Sequence, residues 1–119
     1  MKNIDLYIND KDFVVVATPT IAGYRIADMF GVVSGFSPRT RGVGGVLHGA
    51  LQSIRGEEIS AFTSEIEKAR VDAISRAINN ARNLGANAII GLDIETSDLG
   101  ESYITLLSAT GTAVKIEKE

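Results

Sequence analysis

One periodic pattern limits the folds open to this chain more than any other feature. Ile59, Phe62, Ile66, Ala69, Ala73, Ala77, Ala81 and Leu84 recur at three- and four-residue steps, the spacing of one helical face. Ile74 and Ile78 widen the stripe, and Glu65, Lys68, Asp72, Arg76, Asn79 and Arg82 take the opposite side. Glu57 and Glu58 suit a first turn, where the helix dipole favours negative charge. Gly85 stands where a C-terminal glycine ends a helix, and no proline interrupts the span. The pattern predicts a helix over 57–84, roughly 40 Å long at 1.5 Å per residue. A domain of 119 residues is only about 30 Å across. Such a helix must overhang its own sheet or lie across a neighbour. Its alanine-rich stripe admits another backbone at close range.

The rest of the core reads as strands. Phe13–Ala17 is a compact β-branched run, ended by Thr18-Pro19-Thr20 because Pro19 has no N–H for a ladder. Residues 24–36 read as a long strand. Tyr24, Ile26, Phe30, Val32 and Phe36 share one face, and Ala27, Met29, Gly31, Val33 and Gly35 the other. A bend or bulge is expected at Gly31 or Gly35. In 87–96, Ala88, Ile90, Leu92 and Ile94 alternate with Asn87, Ile89, Gly91, Asp93 and Glu95. Ser97-Asp98-Leu99-Gly100 is a hairpin turn by composition, and 102–115 is the last strand. Neither face of that strand carries a charge before Lys115, so both need cover. One helix layer covers one face, and a second subunit is the expected cover for the other.

Residues 37–45 read as a loop. Val43, Leu47, Leu51 and Ile54 return to helical spacing and predict a short helix over 46–54 that stops at Gly56. Residues 1–12 form an edge strand or a loose leader ahead of a single domain with its core in 13–115. Together these elements predict an α+β subunit: an antiparallel sheet with one short and one long helix on one face.

Composition removes whole classes of chemistry. The chain has no cysteine and one histidine, His48, so thiolate zinc, iron–sulfur clusters and cysteine nucleophiles are excluded. A Ser/His/Asp set would have to use His48 as its base, so the residues favour a non-enzymatic role over a catalytic one and leave the choice open. Net charge is −3, which gives no basic face for nucleic acid. No apolar run approaches the ~20 residues of a membrane span, and MKNIDLYIND lacks an apolar signal core. A cytoplasmic protein without membrane contact is expected.

Two clusters remain as candidate sites. Arg39 and Arg41 precede Gly42, Gly44 and Gly45 at a helix start, where backbone N–H groups and guanidinium groups suit a phosphate or carboxylate. The plain alternative is a flexible connector; no GK[ST] or G-x-G-x-x-G pattern is present. Asp93, Glu95, Asp98 and Glu101 surround the last hairpin and suit a hard divalent cation, with Asp93 and Glu95 on one strand face. A solvated acidic edge that discourages aggregation is the plain alternative. His48 becomes a metal ligand only where symmetric copies converge, and otherwise lies at a surface or interface.

ATPTIAGYRI, GVVSG, SIRGEEISAFTSEIEKAR, NLGANAIIGLDIE and SATGTAV, in this order and spacing, resemble the YbjQ-like family over roughly residues 13–115. The resemblance implies a small α+β protein with a dodecin-like subunit core, assembled as a homopentamer, with no established function and a heavy-metal-binding label. A non-enzymatic binding or assembly protein with an unidentified ligand is therefore the first expectation. Heavy-metal or divalent-cation binding is the second. An enzyme with a site between subunits is the third.

Overall fold

The fold follows from where each apolar stripe finds cover. A computed structural model describes residues 12–40, 56–98 and 104–119. Its elements are β1 (Val14–Val15), β2 (Tyr24–Thr40), α1 (Gly56–Asn83), β3 (Ala88–Asp98) and β4 (Ile104–Lys118). The expected short helix over 46–54 lies outside the described residues, as does the segment before Asp12. Among the described residues α1 is the one helix.

The four strands form one sheet in the order β1-β3-β4-β2. β4 pairs antiparallel with both neighbours, as expected. The wholly antiparallel expectation fails at β1, which runs parallel to β3 with Val14 opposite Ala88 and Val15 opposite Ile89. The sheet is therefore mixed. Strand direction depends on which distant partner fills the edge, and the composition of a strand does not record that.

α1 lies on one face. Ala69, Ala73, Ala77 and Ala81 are fully buried, with Ile74 and Ile78 beside them, against Val33, Ile89, Leu107, Ala109 and Ala113. Leu84, placed on this stripe by periodicity, is instead 48% exposed, because the helix ends just before it. The ending is a Schellman motif: Gly85 N–H donates to the Arg82 carbonyl (2.9 Å) and Ala86 N–H to the Ala81 carbonyl (3.1 Å). Gly85 takes φ +96°, which a side chain would disfavour. Glu65 and Asp72 already reach Arg39, near the end of β2. The first turns of α1 therefore run past that strand, as its length requires.

Bulges decide which side chains face the helix. The β2–β4 register shifts between Ile26 and Asp28 and between Met29 and Gly31, with Gly31 at φ +105°. The bend falls at Gly31, and it separates Phe30, which packs with the helix-side core, from exposed Val32. Gly35 serves another purpose: a Cβ there would lie 2.1 Å from the Ala73 carbonyl oxygen and 2.5 Å from the Ala77 nitrogen. β2 also continues to Thr40, through the segment expected as a loop. Pro38 is tolerated because, among the described residues, β2 ends the sheet, where a missing N–H costs no ladder bond.

Among the described residues, the face away from α1 is covered at one end only. Val14, Val16, Ile21 and Tyr24 pack over Ala88, Ile90, Val114 and Ile116. The chain's own N-terminal segment thus supplies part of the second cover expected from a neighbour.

Candidate functional site

The part of the sheet that the described residues leave open carries the most distinctive chemistry. Cross-strand register places Thr110 between Asp93 and Ser34, and Ser108 between Glu95 and Phe36. Thr112 lies beside Val32. The hydroxyls of Ser34 and Thr110 share a 3.1 Å hydrogen bond. Beyond this polar patch stand Val32, 74% exposed, and Phe36, 52% exposed.

A bulge in β3 places both carboxylates here. The register jumps from Ile90–Thr112 to Asp93–Thr110, and Gly91 adopts φ +63°. Ala88 and Ile90 consequently face one way, while Leu92 and Ile94 pack with the helix-side core. Simple alternation placed all four on one face, and that expectation is corrected. Without the extra residue, Asp93 and Glu95 would share the face of fully buried Ile89, at a severe desolvation cost. The isolated glycine within a strand pattern was the available signal.

Asp93 and Glu95 line one open cleft of about 420 Å³ with Val32, Gly91, Thr110, Gly111 and Thr112. The threonines and Val32 were not singled out by sequence, because only register brings them to β3. Asp98 does not join them. It pairs with Thr105 on the alternate parity of β3, and Thr105 Oγ1 donates to its carboxylate at 3.1 Å. Glu101 and His48 lie outside the described residues. Among the described residues, no three His, Asp or Glu side chains cluster in a metal-holding group.

The arginine-glycine loop is represented only by Arg39, since Arg41, Gly42, Gly44 and Gly45 lie outside the described residues. Arg39 is held on α1. Its guanidinium lies 3.3 Å from Asp72 and 3.9 Å from Glu65, and Ser37 Oγ donates to the same Asp72 oxygen at 3.4 Å. Its Nε is buried without a hydrogen-bond partner among the described residues. Arg39 therefore fastens β2 to α1, and its charge is already opposed by two carboxylates.

Comparison with known proteins places this arrangement. Residues 13–117 match the YbjQ family, whose description reads "Putative heavy-metal-binding". The UPF0145 protein of Saccharolobus islandicus is 39% identical over 109 residues, covering 92% of this chain and 95% of that protein. The UPF0145 protein of Thermoplasma acidophilum is 40% identical over 106 residues, 89% of this chain and 88% of the relative. A crystal structure of a DUF74-family protein of unknown function from Pediococcus pentosaceus shares the fold, with TM-score 0.56 and 20% identity over 88% of this chain and 98% of that one. The chain belongs to the YbjQ family of uncharacterised proteins. No helix among the described residues is long and apolar enough to cross a membrane.

Proposed function

We propose that this chain is a non-enzymatic subunit of a homo-oligomer, pentameric as the family resemblance implies, that associates through the open face of its sheet. The observation that carries this reading is Val32 at 74% and Phe36 at 52% exposure beside the hydroxyl row of β4. Burying one such side chain contributes about 2 kcal/mol, and a ring repeats the gain at every contact. Light scattering and native mass spectrometry test the reading. The wild type is expected as one closed assembly, and Val32→Asp as a folded, smaller species. A wild type that is monomeric at micromolar concentration overturns it.

The second reading is cation binding, favoured by Asp93 and Glu95 lining one cleft. Two carboxylates and hydroxyls suit hard divalent ions, whereas soft metals prefer thiolate or imidazole. Calorimetric titration with Mg²⁺, Ca²⁺, Zn²⁺ and Cd²⁺ tests it. Binding of the hard ions should disappear in Asp93→Asn/Glu95→Gln. Heat that persists unchanged in that variant rules this cleft out.

A further inference from the structure

An outer strand presents unpaired backbone groups to any other chain, and β2, at 17 residues, is a long one. Among the described residues it ends the sheet on the side away from β1. Asp72, Arg76 and Asn80 stand four residues apart on α1 and therefore form one row along the helix. Asn80 Nδ2 donates to the Ser34 carbonyl at 2.7 Å, and Arg76 donates to the Phe36 carbonyl. Asp72 holds Arg76 at 3.4 Å and Arg39 at 3.3 Å. Ser34 and Phe36 are two residues apart, so their carbonyls leave the strand on the same side. Gly35, between them, lets the helix backbone come close enough for these short reaches.

We propose that the row Asp72, Arg76 and Asn80 closes the outer edge of β2 around residues 34–39, so that a second copy of this chain cannot add a strand there. The side chains occupy the acceptors an incoming strand needs. Their charge and bulk also stand where its backbone would lie. Association is thereby directed away from this edge. The inference concerns the edge and not the open face, and it stands whether the wild type is a ring or a monomer.

The test compares wild type, Arg76→Ala/Asn80→Ala, and the donor-keeping Arg76→Lys/Asn80→Gln at equal concentration. Static light scattering and thioflavin T fluorescence are followed over time, with far-UV circular dichroism to confirm the helix. The alanine pair should grow to a several-fold larger average mass with rising thioflavin signal. The donor-keeping pair should match wild type. An alanine pair that keeps its helix, its size and a flat thioflavin signal overturns the proposal, as does a donor-keeping pair that grows equally. Where the alanine pair loses its helix, Asn80→Asp decides the matter. It keeps the shape but cannot donate to Ser34, so it should grow, and no growth overturns the proposal.

Discussion

Gly35→Ala offers the sharpest test of the helix–sheet packing. The new methyl would sit 2.1 Å from the Ala73 carbonyl oxygen and 2.5 Å from the Ala77 nitrogen. Both are backbone atoms inside a regular helix, so neither can rotate away. Reaching ordinary contact at 3.4 Å requires α1 to lift by about 1.3 Å over this point. A gap of that size forfeits much of the dispersion energy between the alanine row and Val33, Leu107 and Ala109. It also pulls Arg76 and Asn80 from the carbonyls they cap. Overpacking costs about 1–3 kcal/mol, and a rigid backbone obstacle places this substitution at the top of that range. For a domain of this size, ~3 kcal/mol corresponds to a fall of about 10 °C or more in Tm. Thermal unfolding at matched protein concentration measures it, because assembly makes Tm concentration-dependent. A Tm within about 2 °C of wild type would refute the close approach.

Other glycines should rank below Gly35. At Gly111 the added Cβ meets the Ile89 Cγ2 at 2.5 Å and the Ile90 carbonyl oxygen at 3.0 Å, a less severe overlap with backbone than at Gly35, so Gly111→Ala should cost about 1–2 kcal/mol by denaturant titration. Gly91 has open space but φ +63°, so Gly91→Ala should lose about 1 kcal/mol while Gly91→Asn, which tolerates that conformation, loses less. Asn87 acts as a strand substitute, accepting from Ile116 N–H at 2.7 Å and donating to the Ile116 carbonyl at 3.1 Å. Asn87→Ala should therefore cost about 2 kcal/mol in equilibrium unfolding. Asp72→Ala removes the acceptor shared by Ser37, Arg39 and Arg76. A loss of about 1 kcal/mol is expected, and 1 M salt, which screens such pairs, should narrow the gap to wild type.

Sequence alone determined the features written in short-range periodicity. The stripe from Ile66 to Ala81 and the stop at Gly85 specified α1, because a helix is closed by bonds four residues long. Alternation specified β4 as a strand, and Leu107, Ala109 and Ala113, two residues apart or a multiple of two, lie under the helix. The motifs from ATPTIAGYRI to SATGTAV carried the family. Side-chain parity across a bulge was not legible. One extra residue at Gly91 reverses the face of everything after it, and only the pairing with Thr110 and Thr112 fixes where that residue sits. The same holds for Gly31, whose bulge parts Phe30 from Val32. The parallel course of β1 depends on β3, more than seventy residues away. Arg39 read as a free cation beside a glycine loop because the carboxylates that hold it, Glu65 and Asp72, lie on α1. Asp93, Glu95 and Asp98 read as one cluster by spacing, and strand parity parts them. Local bonding rules are written along the chain, whereas a site is assembled by register between segments that meet only in the folded protein.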